Sequence, residues 1–136
     1  MKIYFIKTYA KQAAKQASAF EAWLVDDDGY VTEGGSTNAW IVDAKGTVIT
    51  RDLSNAILPG VTRKIMLEAM KEAQISVVER KFTVAEALAA KEAFITSATG
   101  AALPVVVIDG QTIGDGVPGA LSRRIRDLYA EKAGIN

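Results

Sequence analysis

The chain has no cysteine and no histidine. The first absence excludes disulfides and thiolate chemistry. The second excludes Ser-His-Asp hydrolysis, His-ligated zinc and histidine acid/base catalysis. Net charge is also missing, because 16 Lys and Arg face 16 Asp and Glu. With no dense basic stripe, nucleic acid and anionic membrane are poor partners. No apolar run is long enough to span a bilayer. The opening "MKIYFIKTYAK" lacks the apolar core and small-residue cleavage site of a signal peptide, so a cytoplasmic protein is the simplest reading. Any chemistry is left to lysine, carboxylates, tyrosine or a bound cofactor. What is present is bulk apolar content: 49% of the 136 residues are hydrophobic, enough to fold one domain with a real core.

Read along the chain, "KTYAKQAAKQASAF" is rich in Ala, Lys and Gln, and Tyr9, Ala13, Ala17 and Phe20 recur at helical spacing. This predicts a helix over about residues 4–18. "FEAWLV", the turn "DDDG", "YVTE", "NAWIVD", "AKG" and "TVIT" predict an antiparallel meander over residues 20–50. A helix opens near Val61, with Ile65, Leu67, Ala69 and Met70 on its apolar face. "ISVVERKF" reads as a strand. Thr83 with Glu86 forms a capping-box signature for a short helix, "VAEALAAKE". "AFITSAT" and "LPVVVIDG" are strands, and a terminal helix has Pro118 near its start and Gly134 past its end. The whole predicts an α/β or mixed α+β domain with a mixed sheet or partial barrel.

Three stretches offer chemistry. In "LPGVTR", Leu58 to Arg63, Pro59 and Gly60 break the chain just before a helix. The free N–H groups of Val61, Thr62 and Arg63, with the Thr62 hydroxyl beside them, suit an anion such as phosphate. A plain helix start would look similar. Yet Arg63 and Lys64 oppose the helix dipole in the first turn, which a bound anion would offset. In "TEGGSTN", Glu33 heads a run of small polar residues that reads either as a long hairpin or as a close backbone approach to a ligand. In "ITSATG", Ile95 to Gly100, small hydroxyl residues crowd a strand end, which is also compatible with an ordinary exit into a loop.

Taken in order and spacing, "AKQAAKQASAFEAWLVDDDGYVTEGGSTNAWIVD", "NAILPGVTR", "FITSATG…LPVVVIDG" and "GDGVPGALSRRIRDLY" resemble the C-terminal half of the class IV aminotransferases. These are the fold-type-IV pyridoxal-phosphate (PLP) enzymes, and the likeness runs from about Thr8 to Tyr129, closest to the D-amino-acid and branched-chain branches. The resemblance implies a D-amino-acid-aminotransferase-like C-terminal domain, a mixed sheet or partial barrel flanked by helices. It implies that Glu33 faces the pyridine nitrogen of PLP. Val61 and Thr62 would cup the phosphate, Leu58 would pack on the ring, and the loop of Ser97, Ala98 and Thr99 would add donors. Ala98 stands where the family often has threonine, and Gly35 where it often has serine.

The resemblance implies a further departure at the front. The family's cofactor-bearing lysine lies on a strand shortly before the "AKQ" segment. Its spacing, counted back from Lys11 and Gln12, falls just before Met1, and Lys2 is out of register. The expectation is therefore a single domain over residues 1–136, the C-terminal half of an aminotransferase whose N-terminal domain is absent. The complete enzyme would move an amino group between an amino acid and a 2-oxo acid. The chain alone is expected to form a homo-oligomer, a dimer, and to show no turnover. The alternative is a non-catalytic module for dimerisation or for binding a phosphorylated ligand.

Overall fold

The computed structural model describes residues 2–12, 15–34, 37–51, 61–97 and 100–134. Within them lie nine strands and three helices: β1 (Lys2–Gln12), β2 (Lys15–Val25), β3 (Val31–Gly34), β4 (Thr37–Val42), β5 (Val48–Thr50), α1 (Val61–Glu72), β6 (Val77–Glu79), α2 (Val84–Leu88), β7 (Glu92–Ser97), β8 (Gly100–Ile108), β9 (Gln111–Thr112) and α3 (Ala120–Ala133).

The strands join one mixed sheet in the order β3-β2-β1-β8-β7-β4-β5-β6, with β9 beside β8. The ladders are antiparallel except for β5 with β6, which is parallel and encloses α1 as its crossover. That order forces curvature. From β3 to β4 the sheet takes five strand steps, about 24 Å if it were flat. The chain from Gly34 to Thr37 spans at most about 11 Å. The sheet must therefore curl into a half-barrel that brings the β3 edge back beside the start of β4.

Two apolar layers result. One fills the concave side, with Ile6, Trp23, Val31, Ile41, Phe82 and Ile95 all buried. The other lies between the outer face of β4, β5 and β7 and the helices α1 and α3, with Trp40, Phe94, Met66, Met70, Ile125 and Tyr129. Alternate residues serve the two layers: Trp40 and Phe94 face the helices, whereas Ala39, Ile41 and Ile95 face the concave core. Each fully buried side chain of this size contributes about 1.5–3 kcal/mol.

The helix predicted over residues 4–18 is not formed. β1 and β2 pair in unbroken antiparallel register from Lys2 with Val25 to Gln12 with Lys15. β1 also pairs with β8 on its other side. The reason is visible in "KIYFI": Ile6 is buried, while Ile3 and Phe5 are exposed, a two-residue period. Helix propensity distinguishes ordinary residues by less than about 0.7 kcal/mol each, and pairing on both sides outweighs it. The meander is also corrected. β2 pairs with β3 and β4 with β5, but among the described residues no ladder joins β3 to β4.

The later elements follow their sequence signals. Thr83 Oγ1 accepts from the Glu86 N–H while the Glu86 carboxylate accepts from the Thr83 N–H, closing the capping box of α2. Gly134 ends α3 with φ 73°. The start of α3 is held from another element: the Glu92 carboxylate accepts from the N–H groups of Leu121 and Ser122, at 3.3 and 2.8 Å. A β-carbon at Gly119 would come within 2.0 Å of that carboxylate, so the close approach requires glycine there.

Candidate functional site

The sequence-predicted residues fall on three structural segments. Glu33 is the third residue of β3, opposite Leu24 on β2. A register shift between Leu24 and Val25, pinned by the Thr32 hydroxyl donating to the Leu24 carbonyl, bends the ladder just before it. Val61 and Thr62 open α1, and Thr62 is buried. Ser97 ends β7, opposite Thr37 on β4 and Gly100 on β8. Leu58, Ala98 and Thr99 lie outside the described residues.

Backbone pairing relates two of these segments directly. Thr37 pairs with Ser97, and the β3 strand that carries Glu33 ends three residues before Thr37. The α1 start is tied to the same place through side chains. The Arg63 guanidinium is buried and donates to Thr50 Oγ1 (2.9 Å), the Arg51 carbonyl (2.6 Å) and the Glu79 carboxylate (2.8 Å). Its face lies 5.4 Å from the centre of the Trp40 ring. Trp40 stacks on Phe94 and donates its indole N–H to Thr96 Oγ1, one residue before Ser97. Thr50 Oγ1 in turn donates to the Ala39 carbonyl. Residues of β4, β5, β6 and α1 thus meet around one guanidinium, and Trp40 ties them to β7.

This arrangement corrects the electrostatic argument made for Arg63. Its charge is not waiting for an anion at the helix start. The side chain turns back onto the sheet, where Glu79 neutralises it. Lys64 is exposed. What remains for an anion is the helix end itself: α1 is twelve residues long and has no acidic side chain in its first turn. The α3 end differs, because Glu92 already occupies it.

Trp40, Thr50, Thr96 and Glu79 were not among the sequence candidates. A signal for Trp40 and Thr96 existed, since a tryptophan and a threonine on paired strands can share a face. Nothing in the sequence said that Glu79, sixteen residues beyond Arg63, would reach it.

Other features lie apart from these segments. Lys2 is exposed at the start of β1, opposite Val25, and lines a cleft with Asp26–Asp28 and Thr83. A cleft of about 920 Å³ lies between the α3 start and the turn at Gln74–Ser76. Its described lining includes none of the predicted site residues, and its helix end is filled by Glu92, so the chemistry is not placed there. No group of carboxylates among the described residues is arranged to hold a metal ion. No helix among the described residues is long and apolar enough to cross a membrane.

The sequence profile of amino-transferase class IV matches residues 2–108. The chain belongs to the class IV aminotransferases. It is 46% identical over 116 residues to the D-alanine aminotransferase of Bacillus licheniformis, covering 85% of this chain and 40% of that protein. It is 32% identical over 126 residues to the branched-chain-amino-acid aminotransferase of Pseudomonas aeruginosa, covering 93% of this chain and 40% of that protein. Among solved structures, the branched-chain amino acid aminotransferase of Escherichia coli superposes with a TM-score of 0.74 at 30% identity, over 79% of this chain and 36% of that one. The T.th. branched-chain amino acid aminotransferase complexed with N-(5'-phosphopyridoxyl)-L-glutamate superposes with a TM-score of 0.78 at 31% identity, over 85% and 39%. The chain thus spans about 40% of the length of these curated relatives. The family is PLP-dependent, and the expected mixed sheet with flanking helices is the fold found here.

The described residues fit such a group in one respect: an acid-free helix start, with buried Thr62 in its first turn, is linked through the Arg63 side chain to Trp40 on β4 and through Trp40 to Thr96 on β7. A helix start of this kind accepts a phosphate dianion through backbone N–H groups and its dipole.

Proposed function

We propose that this chain is the C-terminal domain of a PLP-dependent class IV aminotransferase and carries the pyridine-nitrogen and phosphate half of the cofactor site. In the complete enzyme the reaction is reversible transfer of an amino group between an amino acid and a 2-oxo acid, in a cytoplasmic homodimer. Val61 and Thr62 hold the phosphate through the first-turn N–H groups and the Thr62 hydroxyl. Leu58 packs on the ring, and the Ser97–Ala98–Thr99 loop adds donors. Glu33 holds a proton on the ring nitrogen. Bound there, the pyridinium ring supplies the electron sink for amino-group transfer.

The observation that supports this reading is the link from the first turn of α1, through Arg63 and Trp40, to Thr96 next to Ser97 on β7. Neither Lys2 nor any other lysine of this chain is assigned to hold the cofactor covalently, so the test reads binding rather than turnover.

Equilibrium dialysis of pyridoxal phosphate against the chain and its Glu33→Ala variant tests the proposal, with inorganic phosphate as competitor. The expected result is saturable binding that weakens at least tenfold in Glu33→Ala, while competition by phosphate is unchanged. Equal affinity of both proteins leaves only an anion site and favours a phosphorylated-ligand module. No saturable binding removes the cofactor reading.

A further inference from the structure

We propose that Arg63 is a positioning residue that acts with Trp40 and Thr96 as one relay, fixing where the α1 start stands relative to the end of β7. The inference rests on the cofactor reading above for its purpose, but the relay itself is a matter of geometry.

Arg63 belongs to the first turn of α1, so wherever its guanidinium is held, the N–H groups of residues 61–63 are held too. Three of its contacts are hydrogen bonds to β5, to the residue after it and to β6. Its guanidinium also lies over the face of Trp40 on β4. These contacts use both properties that lysine lacks: a planar fork of donors and a flat face that stacks on an aromatic ring. Trp40 passes the constraint on, because its indole N–H is bonded to Thr96 Oγ1 at 3.0 Å and its ring is stacked on Phe94, both on β7. Arg63, Trp40, Phe94 and Thr96 are all buried. Water therefore does not compete for the bonds of Arg63 to Thr50 and Arg51 or of Trp40 to Thr96, and only the Glu79 end is open to solvent. A displacement of either end by an ångström is enough to weaken a ligand that bridges the two segments.

The helix could have been seated by its apolar face alone, through Met66 and Met70 against Trp40 and Phe94. Apolar packing is non-directional and fixes a helix axis better than the phase of its first turn. The hydrogen-bonded guanidinium fixes that phase.

The test uses the chain itself with Arg63→Lys, Trp40→Phe and Thr96→Val. Two quantities are measured under conditions where circular dichroism shows each variant folded: affinity for pyridoxal phosphate, and the backbone amide chemical shifts of Val61, Thr62 and Arg63. The relay predicts at least tenfold weaker affinity in Arg63→Lys. It also predicts that Thr96→Val moves the amide signals of Val61 and Thr62, although residue 96 is on another element, and that Trp40→Phe weakens the affinity. A merely structural role lowers the unfolding midpoint but leaves both readouts of the folded protein at their wild-type values, and that result overturns the proposal. Should Arg63→Lys not fold, the two milder variants decide by the same criteria. Should the unmodified chain bind no pyridoxal phosphate, the cofactor reading falls, and the amide shifts alone decide the relay.

Discussion

Two arginine–glutamate pairs in this protein have the same length and opposite surroundings. Arg63 with Glu79 and Arg80 with Glu86 both show an N···O distance of 2.8 Å. The Arg63 side chain is 2% exposed and its glutamate 45%, whereas Arg80 and Glu86 are 44% and 39% exposed. Replacing Glu79 with glutamine keeps the side-chain shape and removes only the charge. Judged by exposure alone, it is a surface substitution, and such changes usually stay within about 0.5 kcal/mol. The structure says otherwise, because the change removes the carboxylate charge from a hydrogen bond made to a buried guanidinium. A hydrogen bond to a charged group is worth about 1.5–3 kcal/mol, so Glu79→Gln should destabilise by about 2 kcal/mol. Arg80→Gln breaks an exposed pair and should cost less than about 1 kcal/mol. Urea unfolding followed by circular dichroism measures both, with m unchanged as the check that compactness is the same. Costs for the two variants that agree within about 0.5 kcal/mol would refute the claim that burial of the arginine decides the outcome.

Three further outcomes are expected. Gly119→Ala should destabilise by about 1–3 kcal/mol in the same unfolding assay, because the new β-carbon meets the Glu92 carboxylate; Glu92→Ala in the same chain should relieve much of that clash while losing the α3 cap. Thr83→Ala should cost about 0.5–2 kcal/mol by removing one half of the capping box of α2. Acid should weaken the fold through Asp26, whose carboxyl is held below its ordinary range first by the Tyr30 N–H and then by the Asp28 N–H and Arg51. A folded-state value below the unfolded one means that this stabilisation is present above about pH 4 and is lost as pH falls through the lower folded value. A pH series of unfolding midpoints on Asp26→Asn should therefore show a shallower loss below about pH 4 than the unmodified chain.

Much of the local structure was legible because it depends on neighbours in the sequence. The capping box of α2, the glycine that ends α3 and the α1 start after Pro59–Gly60 are set within a few residues, where backbone sterics and single hydrogen bonds decide. The segment 4–18 was misread for the opposite reason. Its Ala, Lys and Gln residues favour a helix weakly, while its fate depends on β2 and on β8, the latter about a hundred residues away. The break between β3 and β4 was hidden likewise, since "VTEGGSTN" looks like a turn until the strand order requires the sheet to curl.

Composition by itself determined which chemistries are closed to this chain, because a residue type that is absent acts nowhere in any fold. Sequence order determined the family, through three motifs in fixed succession. Tertiary structure alone decided what Arg63 does. Its position in a first turn suggested an anion. Its long side chain, free to rotate toward any partner within reach, settles on Thr50, Arg51, Glu79 and Trp40 because the curled sheet collects them there and burial makes each unmade hydrogen bond costly.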